Sequence, residues 1–336
     1  MTFPEQLHRR LHQIAHRPAP PSPEELTEDV SAAVETMSLE SSVRRPVDDA
    51  GRPGGLVFLR PDLPLVVLPD IHGRVELLTT TLATSFPEVG IDSPLLEALD
   101  SQAAQLLMLG DYVHGEARVR ERWIAAFGEF QDGFSRHQAM DDEMNESLGV
   151  LQVVSLLKTA YPDRVHGLKG NHENIANEEG HGNHPFGKFV YEGAMVQQYM
   201  ERFYDGRAFE AVYDLEKSFP LLAVGNRTVV SHAEPARFFG PDEIRNYHSL
   251  PEVIEGLTWT DNDAAEEGSV ERTLSTFLPQ HPLDEVTHLG GHRPVKERYA
   301  LRADGRYVQF HNPSRLLVAL PPSERRFDPD RDIREL

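Results

Sequence analysis

Apolar residues near the N-terminus recur at the spacing of a helix. Leu7, Leu11 and Ile14 lie on one helical face, and a Pro-rich break follows them. Residues 22–25 (SPEE) then form a helix-start signature, with serine as the N-cap, proline at the first helical position and glutamate at the third. The pattern predicts two helices and a turn-rich connector. We interpret residues 1–55 as an N-terminal helical extension with its linker.

After this extension the apolar residues come in short unbroken runs, which are typical of strands buried on both faces. Segments with helical spacing separate several of these runs. An alternation of this kind predicts an α/β domain, which we place at residues 56–321. The predicted strands lie at residues 63–68, 105–109, 164–168, 219–225, 227–231, 286–289 and 316–320, with a hairpin around the Asp-Gly turn at 304–305.

The polar residues of the chain add predictions about its surface. A helical stretch at about 117–160, interrupted by a glycine, is interpreted as an insertion, and we expect its acidic middle at 140–146 to be exposed. Further helices are predicted at 75–85 and 188–204. Residues 322–336 are charged and are predicted to form a frayed C-terminal tail.

Charge and composition narrow the possible functions. The 336 residues carry 54 acidic and 33 basic side chains, so the net charge of −21 repels nucleic acid and acidic membranes over most of the surface. The chain has no cysteine, which excludes disulfides, thiolate metal sites and a cysteine nucleophile. No apolar run has the length of a membrane span, and the N-terminus lacks the apolar core of a secretory signal, so we expect a cytoplasmic protein.

Five short polar motifs each follow the end of a predicted strand. The carboxyl ends of strands are where open α/β sheets bind ligands, so five such loops can converge on one point. Each motif alone is more often a turn or a structural histidine, but five of them in order after strands favour a shared site. The motifs are Asp70-Ile-His72-Gly73, Gly110-Asp111, Gly170-Asn171-His172-Glu173, His232 and Gly291-His292.

The residue types in these motifs are those of a metal site. Carboxylate, amide and imidazole ligands suit Mn²⁺, Fe or Zn²⁺, and we expect two divalent ions, with manganese preferred. Two ions roughly 3.5–4 Å apart polarise a phosphoryl group and activate a shared water. Asp111 can bridge such a pair, and His172, beside Asn171, is placed to protonate the leaving oxygen. The sequence therefore predicts a metal-dependent phosphoesterase that acts on a phosphorylated substrate.

The order of these motifs resembles that of the calcineurin-like metallophosphoesterases, and most closely the PPP-type phosphoprotein phosphatases and their bacterial relatives. The resemblance covers about residues 64–320, including GNHENIAN at 170–177 and LTWTD at 257–261. It implies a four-layer α-β-β-α sandwich of two mixed sheets flanked by helices. It also implies that His172 is the general acid and that Glu173 orients a ligand. By the same resemblance, Asp70, His72 and Asp111 bind the first metal, and Asp111, Asn171, His232 and His292 bind the second.

Two positions depart from the family pattern. In the second motif, usually G-D-x-V-D-R-G, His114 replaces the aspartate that orients the general acid, and Gly115 replaces the arginine that grips phosphate. We expect Arg74 or Arg293, which adjoin site motifs, to contact the substrate phosphate, together with His114. The last motif, GHRP at 291–294, offers one histidine where many relatives have two, which implies a first metal with only three protein ligands.

Three functions are consistent with this pattern. The first is hydrolysis of phosphomonoesters, including phosphoprotein, by a metal-bridged hydroxide with His172 as general acid. The second is hydrolysis of nucleotide anhydrides or diesters of the dinucleoside polyphosphate type, since GHRPV at 291–295 resembles the GHTPV of such enzymes. The third, motivated by the altered second motif, is a non-catalytic binding module that keeps the fold.

Overall fold

The computed structural model describes residues 3–336, which form two β-sheets and the helices around them. The strands are β1 (Leu56–Phe58), β2 (Leu65–Leu68), β3 (Gln105–Met108), β4 (Val165–Gly167), β5 (Leu222–Val224), β6 (Thr228–Ser231), β7 (Thr287–Gly290), β8 (Ala300–Arg302), β9 (Tyr307–Gln309), β10 (Leu317–Ala319) and β11 (Ile333–Glu335). The helices are α1 (Phe3–His16), α2 (Pro23–Ser38), α3 (Val75–Ala83), α4 (Leu95–Asp100), α5 (Arg120–Gln131), α6 (Gln138–Ala160), α7 (Glu192–Phe203), α8 (Gly206–Ser218), α9 (Pro241–Arg245), α10 (Pro251–Thr258), α11 (Ser269–Phe277) and α12 (Pro329–Asp332).

Both sheets are mixed, and each contains three neighbouring parallel strands. One sheet has the order β1-β5-β6-β7-β9-β8, and its strands β6, β7 and β9 are parallel. The other has the order β11-β10-β2-β3-β4, and its strands β2, β3 and β4 are parallel. Each of the predicted strand runs overlaps one of these strands, and the hairpin prediction is confirmed by the antiparallel pair β8 and β9.

The unbroken apolar runs follow from the position of the strands in the middle of the molecule. Side chains alternate between the faces of a strand. In β2, Val67 lies in the core shared by the two sheets, whereas Val66 and Leu68 pack against the helices outside. A separate core joins the other sheet to α10 and α11. The layers are therefore helices, sheet, sheet and helices, and the predicted four-layer sandwich is confirmed.

The two predicted N-terminal helices are present as α1 and α2. At the start of α2, Glu25 N–H donates to Ser22 Oγ, and Ser22 N–H donates to the Glu25 carboxylate, so the predicted capping arrangement is confirmed. The inner face of α2, including Leu26 and Val30, is fully buried against α6 and α8. The division of the chain at residue 55 stays a prediction, and these helices share a core with the domain beyond it.

The acidic middle of the insertion is exposed only in part, since Asp142 is exposed but other residues of this stretch are not. Met140, Glu143 and Met144 in α6 are buried, with Glu143 at 0% exposure. The Glu143 carboxylate accepts a hydrogen bond from Gly115 N–H at 2.8 Å and pairs with Arg122 of α5. This face of the helix therefore supports the loop that follows β3, because a buried carboxylate needs donors around it.

The predicted frayed tail is also wrong. The C-terminal strand β11 pairs antiparallel with β10 at the edge of its sheet, and Ile333 is buried. Arg325 and Asp332 form an ion pair that closes the turn leading into this strand. Among residues 3–336, no helix has both the length and the apolar character that a membrane span requires.

Candidate metal centre

The predicted site residues lie where six parallel strands end, three in each sheet. The loops after β2, β3 and β4 carry Asp70 and His72, Asp111, and Asn171 with His172. The loops after β6, β7 and β9 face them from the other sheet, and the first two of these carry His232 and His292. The two sheets therefore bring the carboxyl ends of their parallel strands to one place, as ligand sites of α/β folds do.

Several residues of these loops have a left-handed backbone, which L-amino acids adopt rarely. Their φ angles are 49° at His72, 50° at Asp111, 62° at His114 and 66° at His292. Such conformations cluster at functional sites, where the surrounding structure holds them. Here they turn consecutive side chains out of the strand direction and into one buried volume.

Close packing of glycine against carboxylates shapes the same volume. A Cβ atom on Gly291 would collide with the carboxylate of Asp70, and one on Gly170 would collide with that of Asp111. Asp70 Oδ2 accepts from His292 N–H at 2.9 Å, and Asp111 Oδ1 accepts from His172 N–H at 3.0 Å. Glycine at these two positions therefore lets a loop of one strand approach the carboxylate of another.

Asn171, His232 and His292 form one group of possible metal ligands. His232 Nδ1–H donates to the Leu109 carbonyl at 3.1 Å, so its Nε2 carries a lone pair. That Nε2 lies 3.0 Å from Asn171 Oδ1 and 3.5 Å from Asp111 Oδ2, and His292 Nδ1 lies 2.9 Å from the same Asn171 oxygen. Lone pairs that face one another in a buried site fit a bound cation.

Asp70, His72 and Asp111 form a second group of possible metal ligands, which includes the same Asp111 carboxylate. His72 Nδ1–H donates to the His114 carbonyl at 3.0 Å, which leaves its Nε2 free, 3.5 Å from Asp111 Oδ2. In the part of the chain that the structure describes, the buried Oδ1 of Asp70 has no hydrogen-bond partner. Burial, together with the neighbouring Asp70 and Glu173, raises the pKa of Asp111 well above its usual value. Divalent cations would compensate this concentration of buried carboxylates.

His172 lies beside the shared carboxylate and is held by His114. The Nδ1 atoms of the two rings are 3.1 Å apart, and His172 Nε2 is 3.7 Å from Asp111 Oδ2. The ring of Phe186 covers both, with its centroid 3.7 Å from that of His172 and stacked on His114. Burial, and then the neighbouring His72, lowers the pKa of His114 to about 3, so this histidine is neutral at pH 7.

Glu173 joins the loops after β3 and β4. Its carboxylate accepts hydrogen bonds from the backbone N–H groups of Asp111 at 2.9 Å, Tyr112 at 2.7 Å and Gly170 at 2.7 Å. Its own backbone carbonyl accepts from Lys169 Nζ. Glu173 therefore fixes the backbone that presents Asp111.

The two predicted phosphate-binding arginines have different surroundings. Arg74 is buried, and its guanidinium donates to the carbonyls of Asp70, Ile71, Asn312 and Arg315. Arg293 has a side chain that is 44% exposed, and it pairs with Asp261 of the LTWTD segment. Only Arg293 is thus open to a substrate.

Comparison with known proteins identifies the family. The sequence model of the calcineurin-like phosphoesterases matches residues 63–320, which is most of the chain. The chain belongs to the calcineurin-like phosphoesterase family. It is a metal-dependent phosphoester hydrolase, and the alternative of a non-catalytic binding module is set aside.

Comparison with solved structures gives one match that supports this fold. A protein serine/threonine phosphatase from Saccharomyces cerevisiae, with similarity to human phosphatase PP5, superposes with a TM-score of 0.56 at 14% identity, over 94% of this chain and 90% of that one. A cold-active protein-tyrosine phosphatase of a psychrophilic Shewanella species gives a TM-score of 0.43 at 13% identity, over 89% of this chain and 85% of that one.

Two further buried residues, which the sequence did not single out, lie beside the candidate site. His311 follows β9, the sixth of the converging strands, and is fully buried. Asp70, His72 and His311 each offer an atom within 4.8 Å of the others. Glu116 is also buried, and its Oε2 lies 2.8 Å from His311 Nε2. The position of His311 after a strand is a signal that could have drawn attention to it.

Proposed function

We propose that this protein hydrolyses phosphomonoesters, including phosphoprotein, with two divalent metal ions and with His172 as the general acid. The observation that carries the proposal is the placement of His172. Its Nε2 faces the shared carboxylate of Asp111 at 3.7 Å, while its Nδ1 is bonded to His114. A donor beside the bridging ligand is where a leaving oxygen needs a proton.

The two ligand groups that share the Asp111 carboxylate support a two-metal centre. Asp70, His72 and Asp111 would hold the first ion, and Asn171, His232 and His292 would join Asp111 around the second. When bound, the two ions supply positive charge for the phosphoryl group and activate the attacking water. We propose manganese, because carboxylate, amide and imidazole ligands together suit it.

His114 can orient His172 as a proton donor. If protonated His172 donates Nδ1–H to neutral His114 Nδ1 across the 3.1 Å contact, its Nε2–H is the proton that passes to the leaving oxygen, and His172 is left as a neutral imidazole. This Nε2–H then faces the site beside Asp111. His114 would thus orient His172 in place of the aspartate that is usual in the family, and the contact of Phe186 with both rings would keep water from their bond.

Arg293 is the proposed phosphate contact. It follows the ligand His292 directly, and its buried Nε has no hydrogen-bond partner among residues 3–336. Asp261 holds the other end of the guanidinium at the surface. Arg74 is left out of this role, because its donors are bonded to backbone carbonyls.

Replacing Arg293 with alanine should raise KM for p-nitrophenyl phosphate about tenfold, with a smaller effect on kcat. The loss of one charge-assisted contact to the phosphate is the physical reason. Steady-state kinetics measure the effect. Arg334→Ala is the control, because Arg334 has a similar exposure and pairs with Glu88 at the edge of the other sheet. Equal KM values for the Arg293 variant and the wild type would exclude the contact.

A substrate panel tests the proposed function. We expect turnover of p-nitrophenyl phosphate and of a phosphopeptide in the presence of Mn²⁺, and much slower turnover of bis-p-nitrophenyl phosphate and diadenosine tetraphosphate. Preference for diadenosine tetraphosphate would instead favour the nucleotide alternative that GHRPV at 291–295 suggests. Absence of turnover with every substrate and with Mn²⁺, Fe²⁺ and Zn²⁺ would contradict both proposals.

A further inference from the structure

The surroundings of His311 point to a fourth protein ligand for the first metal. We infer that His311 binds this ion through Nδ1 and that Glu116 positions its ring. The inference rests on the metal centre of the proposed function, and it changes the three-ligand first site that the GHRP motif implies. The missing second histidine of that motif would thus be supplied by a different strand.

The first argument is the pair of contacts that His311 makes. Its Nε2 lies 2.8 Å from Glu116 Oε2, so Nε2–H donates to the carboxylate and the proton stays on that nitrogen. The opposite nitrogen, Nδ1, therefore carries a lone pair. It lies 3.8 Å from Asp70 Oδ2. A histidine whose other nitrogen donates to a carboxylate is the arrangement that metal-binding histidines commonly have.

The second argument is that the lone pair of His311 Nδ1 is unpaired within the described structure. His311 is 0% exposed, and across the described residues its Nδ1 has no hydrogen-bond partner. A buried polar atom without a partner costs free energy. Asp70 Oδ1 is unpartnered in the same volume. Two unpaired acceptor groups that face one buried space are satisfied together by a cation.

The third argument is that the ring and its carboxylate are fixed in place. The His311 carbonyl accepts from Val295 N–H at 2.8 Å, which ties its backbone to the loop after His292. Glu116 Oε1 is held by Lys188 Nζ at 3.0 Å, and Glu116 Oε2 lies 3.7 Å from His72 Nε2. The rings of His72 and His311 are 5.3 Å apart, and each offers a nitrogen within 4.8 Å of a carboxylate oxygen of Asp70.

Titration of the metal-free full-length protein with Mn²⁺ tests the inference without reference to activity. Calorimetry gives the affinities, elemental analysis gives the number of ions, and electron paramagnetic resonance separates a coupled pair from a single ion. For the wild type we expect two ions per chain. For His311→Gln we expect one ion to bind at least tenfold more weakly, with a single-ion spectrum at low Mn²⁺. Glu116→Gln should weaken the same ion to a smaller extent.

A matched control is available in His166, which is buried and lies 3.5 Å from the buried Glu40, away from the metal loops. His166→Gln should bind two ions as the wild type does. Weaker Mn²⁺ binding by this variant would overturn the inference, because it would show that loss of any buried histidine has the same effect. Wild-type affinity for both ions in His311→Gln would also overturn it. If that variant does not fold, unchanged affinity in Glu116→Gln overturns it and a weaker first ion supports it.

A parallel titration of Asp111→Asn distinguishes an error in the role of His311 from an error in the proposed metal centre. If it loses tight binding while His311→Gln keeps both ions, only the role of His311 is wrong. If Asp111→Asn also binds two ions normally, the ligand assignment of the proposed function fails with it.

Discussion

Replacing Asp111 with asparagine should lower kcat by about three orders of magnitude and remove tightly bound metal. Loss of the shared charge takes away the group that faces both ligand sets, and several kcal/mol of charge stabilisation correspond to a change of this size. The fold should persist, because an asparagine oxygen can still accept from His172 N–H. Turnover of p-nitrophenyl phosphate, metal analysis and circular dichroism measure the three effects.

A comparable acid elsewhere provides the control for this variant. Asp141 of α6 accepts from the Tyr199 hydroxyl at 2.6 Å and has no contact with the metal loops in the described structure. Asp141→Asn should retain metal and turnover. Activity of Asp111→Asn within tenfold of the wild type would mean that Asp111 does not bridge.

Replacing His172 with alanine should lower kcat by about 10²- to 10⁴-fold while two ions remain bound. This is the size of effect that a general acid contributes, and the two ligand groups that share Asp111 are left in place. Metal content measured together with kcat distinguishes the two possible roles, because loss of an ion in the variant would indicate that His172 is a metal ligand. Turnover of p-nitrophenyl phosphate, whose leaving group needs no proton, should fall less than turnover of an alkyl phosphate.

His114 offers a second test of the same pair of rings. His114→Phe keeps an aromatic ring against Phe186 but removes the hydrogen bond to His172. We expect a smaller loss of kcat than in His172→Ala, and no further loss when the two changes are combined, because both act through one proton donor. Additive losses would show that His114 acts independently of His172.

The middle layers and the ligand loops were predictable because their signals are local. An apolar run such as residues 63–68 must be buried on both faces, and the polar motif after it must lie at a sheet edge. The start of α2 was predictable for a similar reason, since Ser22 and Glu25, three residues apart, each bond to the other's backbone N–H. Local signals thus gave the elements and the loops that carry the proposed ligands.

His311 and Glu116 were less predictable. His311 follows the second strand of the predicted hairpin, but only the pairing of β9 with β7 places it beside the loop of His292. Glu116 stands at the last position of the altered second motif, and its contact with His311 spans 195 residues. A long-range contact between two isolated residues leaves no periodic pattern in the sequence.

The buried part of α6 and the C-terminal strand were not predicted, because charged segments were expected to be exposed or frayed. The Glu143 carboxyl group is buried, and Gly115 N–H and Arg122 donate hydrogen bonds to it. The tail is rich in charge, yet Ile333 fills the sheet edge and Asp332 pairs with Arg325. In both places a paired carboxylate is compatible with burial, which the distribution of charge along the sequence does not reveal.

The packing of α2 determines where this chain can be shortened. The family match begins at residue 63, but Leu26 and Val30 cover apolar surface of α6 and α8. A chain that began at residue 56 would leave that surface open to water, and we expect it to aggregate. The limits of a family match describe shared sequence, whereas the smallest stable unit is set by which apolar faces are covered.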